Sequence, residues 1–417
     1  MLARYTGSTP GSLDVPRDPR YSPTAIRPPM TSSTAIHEFD DIRPYHDGEV
    51  RPVMQRLMAD PELADTLVSM KHPRAPRWLR PFLRPFVRRI LHREFDAIDT
   101  VRQLQELIGV HMRAMLRRTG TDFSVSGIEH VAPGGAYLFV SNHRDIAMDP
   151  AFVNLALDEH GRDTVRIAIG DNLLTKPFTS DLIRLNKSFI VKRSVTGRRE
   201  KFKALTSLSR YIRHSILEDH SNVWIAQREG RAKNGIDRTE TALIKMLTLG
   251  RPKDESFGDA IARLNIVPVA ISYQFDPCDL DKARELYAWR TTGAYEKGEH
   301  EDLASIYKGI VGDKGRVHVA FGEPLPAGFG DDEDVAAYLD NQIITHYRLQ
   351  ATNLIAWEKR HGRHPEVDGW KAALDCDWGD LEARLMARVA GEPAEVRDIF
   401  LDSYANPVQS RLDLIEH

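Results

Sequence analysis

The feature that most constrains this chain is an alternation of short apolar runs with helical stripes between about residues 123 and 325. Phe123-Ser-Val-Ser-Gly, Ala136–Val140, Val165–Ile169, Ser188–Val191, Val223–Ala226, Ile266–Tyr273 and Arg316–Phe321 are rich in β-branched and aromatic residues. Each is too short for a core helix and reads as a strand. Between them lie helical segments: Pro150–Glu159, Glu200–Leu217 with Phe202, Leu205, Leu208, Ile212 and Ile216 on one face, and Thr239–Leu249 closed by Gly250. A charged helical insertion is expected between Tyr273 and Arg316. Such alternation predicts an α/β fold with a central, mostly parallel or mixed sheet flanked by helices.

Helical extensions are expected on both sides. Residues 1–35 are Pro/Ser/Thr/Gly/Arg-rich without periodicity and should form a disordered tail. Residues 36–122 read as a helical region, with Val50, Val53, Met54, Leu57 and Met58 on one face of a helix within His37–Met70. Ile98, Val101, Leu104, Ile108, Met112 and Met115 stripe a second helix, Asp96–Arg118. Residues 123–325 form the α/β domain, and 326–417 are helical. There Val335, Leu339, Ile343, Ile344, Tyr347 and Leu354 mark one helix, with shorter ones around Ala373–Ala387 and Ala394–Ala405.

Charge and cysteine usage narrow the functional classes. Lys plus Arg number 57 against 60 Asp plus Glu, so no bulk charge points to nucleic acid. Cys278 and Cys376 stand far apart in no metal-ligand spacing, and no metal is expected. The sequence has neither an apolar signal-peptide core nor a run of about eighteen apolar residues. A cytoplasmic protein, peripheral on the inner face of the membrane, is the expectation. The peripheral part rests on residues 71–93, which carry eight Lys or Arg and no acid, with Trp78, Phe82 and Phe86 among them. A basic amphipathic segment of this kind suits an anionic membrane surface; it equally suits a helix packed on the core with a solvated Arg face.

Ionisable residues collect where strands end. After Val140 come Asn142, His143, Arg144, Asp145 and Asp149, with Pro150 placed to open a helix and Asp149 at its N-cap. A histidine there beside two carboxylates can serve as a general base, while a bland reading leaves Asp149 as a cap and His143 as structural. After Val191 come Lys192 and Arg193, then Arg198, Arg199 and Lys201, which suit a phosphate or a solvated helix start. After Ala226 comes Gln227-Arg-Glu-Gly-Arg-Ala-Lys233, where Glu229, Gly230 and Arg231 suit substrate positioning or a surface charge pair.

Taken in order, these blocks resemble the glycerolipid acyltransferases, the glycerol-3-phosphate and lysophosphatidic acid acyltransferases. Asn142-His143 with Asp149 resembles the first block, and Ser188-Phe-Ile-Val-Lys-Arg193 the second. Glu229-Gly230-Arg231 resembles the third and Ile266-Val-Pro-Val-Ala270 the fourth. The family usually leaves four residues between His and Asp, whereas five intervene here, so Asp145 is a second candidate partner of His143. Gln227-Arg228 stands where the family has Phe-Pro.

The resemblance implies an enzyme that moves a fatty acyl group from acyl-CoA or acyl carrier protein, as co-substrate, to a hydroxyl of glycerol-3-phosphate or a lysophospholipid. It needs no cofactor. His143 would act as general base, with Asp149 or Asp145 fixing its tautomer. Asn142, Lys192, Arg193, Glu229, Gly230 and Arg231 would bind substrate. A thioesterase or a non-catalytic lipid-binding protein of the same fold is the rival. His143-Arg-Asp145 also echoes a kinase catalytic loop, but Pro150 stands where that loop needs Asn, and no Asp-Phe-Gly occurs.

Overall fold

The computed structural model describes residues 38–71, 80–174, 176–298 and 301–416, with 69–71 and 80–83 as backbone. The tail expected over residues 1–35 lies outside them, as does Trp78 with the rest of 72–79. Among the described residues the first helices are α1 (Asp47–Ala59), α2 (Pro61–Lys71), α3 (Arg80–Phe95) and α4 (Val101–Thr119). The helical stretch read over His37–Met70 is divided before Pro61, where the Asp60 carboxylate accepts from Glu62 N–H at 2.7 Å and Leu63 N–H at 3.0 Å. Helix α4 starts later than its stripe because Thr100 and Gln103 form a reciprocal capping box, and Gly120 closes it at φ 63°.

The α/β region follows as β1 (Asp122–Ser126), β2 (Leu138–Ser141), α5 (Met148–Glu159), β3 (Arg166–Gly170), α6 (Pro177–Leu185), β4 (Ser188–Val191) and α7 (Arg198–Leu217). It continues through β5 (Val223–Ala226), α8 (Thr241–Thr248), α9 (Phe257–Ala262), β6 (Ile266–Tyr273), α10 (Asp279–Thr292), α11 (Glu301–Val311) and β7 (Arg316–Phe321). The sheet order is β1-β7-β6-β2-β5-β3-β4. β2 to β6 run parallel, while β7 lies antiparallel to β6 and parallel to β1. The expected mostly parallel mixed sheet is therefore present.

β2 occupies the centre, and alternation along it serves both faces. Leu138 and Val140 join a core with Leu208, Ile212, Ile244 and Leu339, while Phe139 joins the opposite core with Met115, Phe152 and Val153. All four β2 residues are buried, as a parallel strand covered on both faces requires. That burial fixes where the chain emerges, so the groups after Ser141 are aimed by a rigid strand.

The C-terminal region comprises α12 (Asp332–His346), α13 (Ala351–His361), α14 (Pro365–Ala372), α15 (Trp378–Arg388) and α16 (Ala394–Glu416). The helix expected from Val335 through Leu354 is two, parted at Tyr347–Gln350, because Gln350 and Asn353 start the second with their own capping box. Ala351, Leu354, Ile355 and Trp357 pack on Phe400, Tyr404 and Val408 in a separate core.

The described part of the basic segment is folded onto the protein. The Arg84 Nε donates to Asp65 of α2 at 2.6 Å, Arg88 to the Ala59 carbonyl at 3.0 Å, and Val87 is buried; Phe86 is 61% exposed. Among the described residues no helix is long and apolar enough to cross a membrane.

One core group carries a pH prediction. His318 of β7 is buried between Ser124 Oγ at 2.8 Å and Ser126 Oγ at 2.9 Å. Burial, assisted by the Arg348 charge, lowers its pKa from 6.5 to about 4. The unfolded chain therefore binds the proton first, and the stabilising effect, complete above pH 6.5, fades as pH falls through 4. The full difference is about 3 kcal/mol. Urea unfolding at pH 7 and pH 5 should show a smaller pH-dependent loss in His318→Gln than in the native chain; equal losses would remove His318 from the acid response.

Candidate active site

The turn after β2 is built around one carboxylate. Asp149 is fully buried, and its Oδ2 accepts from Arg144 N–H at 2.6 Å, Asp145 N–H at 3.0 Å and His143 Nδ1 at 2.8 Å. Its Oδ1 accepts from the Tyr273 hydroxyl at 2.6 Å. Burial by itself would raise the Asp149 pKa; the His143 hydrogen bond and charge outweigh it, with Tyr273 and the Asp145 backbone amide adding, and hold it below the usual value. An ionised carboxylate only accepts, so the His143 proton belongs on Nδ1 and Nε2 is left with its lone pair. The ring is 14% exposed and meets Trp224 edge-on at 5.7 Å.

Asp149 is thus not the helix cap that the sequence suggested. Helix α5 starts earlier, at Met148 with Ala147 as its N-cap, and Asp145 orders the turn leading into it, accepting from Ala147 N–H at 3.0 Å and Met148 N–H at 2.9 Å. Burial, with the charge of Asp149, raises the Asp145 pKa. Asp145 therefore belongs to the backbone of the turn, and the five-residue spacing from His143 is spanned by Asp149. Gly309 of α11 packs so near that a Cβ there would lie 2.3 Å from Asp145 Oδ2.

Asn142 is buried, and its amide is spent within the protein. The side-chain oxygen accepts from Ile271 N–H at 2.8 Å, and its nitrogen donates to the Ile271 carbonyl at 3.0 Å and to Asp237 at 3.3 Å. It braces β2 against β6.

Residues 227–240 fold back over this turn. Ala232 N–H donates to the His143 carbonyl at 2.8 Å. Arg144, 6% exposed, donates to the carbonyls of Ala232 and Gly235 at 3.3 and 3.2 Å and to Asp237 at 2.7 Å. Lys282 of α10 donates to the Arg144 carbonyl at 2.6 Å and pairs with Asp276. The C-terminal helices add a clamp: Asn406 donates to the Asn234 carbonyl at 2.8 Å, and a Cβ on Gly235, whose φ is 77°, would lie 2.0 Å from the Ser403 carbonyl oxygen. Arg144, Asp237, Tyr273 and Lys282 were not singled out from the sequence. Their partners lie tens of residues away, and only the His143-Arg-Asp145 stretch drew attention to Arg144.

The other sequence-chosen residues follow β4 and β5, which flank β3 in the sheet. Arg193, after β4, faces Glu229, after β5, at 3.5 Å; both are exposed. Gly170 lies against the Arg193 side chain, and Asp171 accepts from Arg193 N–H at 3.1 Å. Lys192 is turned aside onto Asp41. Gly230 has φ 75° with open space around it. Arg231 points elsewhere: one Nη is buried without a hydrogen-bond partner among the described residues. Burial pushes the nearby Cys278 thiol up to about 11, with Arg231 among the charges opposing that shift. The two arginines therefore do not converge on one carboxylate, and among the described residues Glu229 pairs with Arg193.

An apolar cavity of about 250 Å³ opens beside the turn, lined by Ile146, Ala147 and Pro150 together with Ile108, Met112 and Ile167. It shares Ile108, Leu182 and Asn186 with a second cavity of about 230 Å³ among α1, α2, α3, α4 and α6. No group of three or more His, Cys, Asp or Glu placed to hold a metal ion occurs among the described residues.

Comparison with known proteins bears on this arrangement. The Acyltransferase family model matches residues 122–272. No curated protein matches the chain. Among solved structures, the chain is similar to the 1-acyl-sn-glycerophosphate (LPA) acyltransferase PlsC from Thermotoga maritima. That similarity has 15% identity and a TM-score of 0.35, covering 70% of this chain and 94% of that one. The matched segment begins at β1 and ends one residue short of Tyr273, enclosing the His143–Asp149 pair and both arginine-bearing loops. Over residues 122–272 the chain therefore matches the Acyltransferase family.

Proposed function

We propose that the protein moves a fatty acyl group from an acyl thioester to a hydroxyl of glycerol-3-phosphate or a lysophospholipid, by direct attack with His143 as base. The observation that carries this reading is the His143–Asp149 pair at 2.8 Å, with Nε2 unspent at the end of a central strand and an apolar cavity beside it. Nε2 takes the proton of the acceptor hydroxyl while that oxygen bonds to the thioester carbonyl carbon. Asp149 stabilises the imidazolium that results. As the tetrahedral intermediate collapses, the C–S bond breaks and the imidazolium returns its proton to the leaving thiolate. No serine acyl-enzyme is required.

The acyl chain is assigned to the cavity at Ile146 and Ala147, where each buried methylene contributes about 0.8 kcal/mol. The acceptor phosphate is assigned to Arg193, whose planar fork matches phosphate oxygens. Glu229 then holds Arg193 in place between turnovers.

The experiment is thiol release from acyl-CoA with and without a panel of acceptors. Release that depends on glycerol-3-phosphate or a lysophospholipid, with ester formed in equal amount, is expected. Release that needs no acceptor would make the protein a thioesterase. In Arg193→Ala, loss of a charged hydrogen bond to a half-exposed site should raise KM for a phosphorylated acceptor about tenfold or more. The KM for an uncharged glyceride acceptor should stay unchanged. Equal effects on both acceptors would place the phosphate elsewhere.

A further inference from the structure

Helix α7 departs from its sequence pattern at one point. Leu208, Ile212 and Ile216 are buried as expected, yet Phe202, on the same stripe, is 60% exposed. Arg198, Arg199, Glu200, Lys201 and Lys203 around it are all exposed. None of the four cations has an ion-pair partner among the described residues, and Glu200 is the lone acid in this run. The first turns of α7 therefore present a bare aromatic ring inside a ring of unspent positive charge. They follow directly from the loop that carries Arg193, at the same strand ends as His143.

We propose that this end of α7 docks on an anionic lipid bilayer, with Phe202 entering the headgroup boundary and Arg198, Arg199, Lys201 and Lys203 against acidic headgroups. Burial of the ring and the attraction of each cation to acidic headgroups supply the binding. A bilayer needs no complementary pocket, whereas a specific protein partner needs about 800 Å² on each side, more than two helical turns present. The surface rests on the acyl-transfer reading for its purpose: a lipid acceptor would leave the bilayer at the rim that bears Arg193 and His143. It is separate in sequence from the basic segment at 71–93, where Arg84 and Arg88 are occupied within the protein while Arg89 and Arg93 are exposed.

The test is flotation of the full chain with vesicles of phosphatidylcholine, with and without phosphatidylglycerol, comparing native protein with Phe202→Glu/Lys203→Glu. The native chain should bind the anionic vesicles and leave the neutral ones. The variant should bind at least about tenfold more weakly, the loss of one ring contact and one cation exceeding 1.4 kcal/mol. Its melting temperature and its thiol release with a soluble acceptor should match the native values, since both side chains are exposed. Unchanged vesicle binding in the variant, no binding by the native chain, or binding to acyl carrier protein in place of vesicles would overturn the proposal. Native binding that the variant loses, in a protein that turns over no thioester, would support this surface and refute the acyl-transfer reading alone.

Discussion

Replacing His143 with alanine should lower acyl transfer by about 10²–10⁴, the usual worth of a positioned general base, with the fold intact. The ring is partly exposed, so its removal opens a space that solvent can enter. Asp149 keeps three donors, the amides of Arg144 and Asp145 and the Tyr273 hydroxyl, and no buried charge is stranded. The melting curve should therefore move little while kcat collapses. Initial rates of thiol and ester formation, measured beside a thermal melt, check both halves. A folded His143→Ala protein that retains more than a tenth of native activity would rule out this base.

Asp149 gives the second large effect, and two variants separate its roles. In Asp149→Asn the three donors at Oδ2 require an oxygen there, so the amide nitrogen turns to Tyr273, whose hydroxyl can accept. Shape and tautomer survive; the negative charge facing the imidazolium does not. A loss of about 10² in kcat with near-native stability is expected. Asp149→Ala instead leaves two buried backbone amides and a buried hydroxyl without an acceptor, each costing about 1–3 kcal/mol. That variant should be destabilised by several kcal/mol in urea. Equal stability of the two variants would show that Asp149 does not organise the turn.

Much of the architecture was legible because burial on both faces leaves apolar runs with sharp ends. Ile266–Tyr273 and Arg316–Phe321 have the bounds that their sequences suggested. Helix starts were less legible, since a cap is decided by which side chain reaches the free amides. Asp145 and Asp149 are equivalent on paper, and only the backbone path assigns the first to α5 and the second to His143. Helix α6 escaped notice because its nine residues hold only about two turns of apolar pattern before the Lys187 bend, which has φ 57°.

The candidate site was legible where its members lie beside strand ends, as His143, Arg193 and Glu229 do. Its supports were not. Arg144 meets Asp237, and Tyr273 meets Asp149, across 93 and 124 residues, separations that no local pattern encodes. Phe202 departs from its stripe too: it is 60% exposed at the start of α7, while Leu208, Ile212 and Ile216 farther along are buried.

The claim beneath all of this is a protonation state, with hydrogen on Nδ1 of His143 and a lone pair on Nε2. Nitrogen-15 spectra of histidine-labelled protein, with His143→Gln to assign the signal, read that state directly at a pH where the ring is neutral. The expected spectrum has a protonated Nδ1, its proton shifted downfield by Asp149, and an unprotonated Nε2. A neutral ring carrying its proton on Nε2 would contradict the account, because the atom assigned to take the acceptor's proton would already hold one.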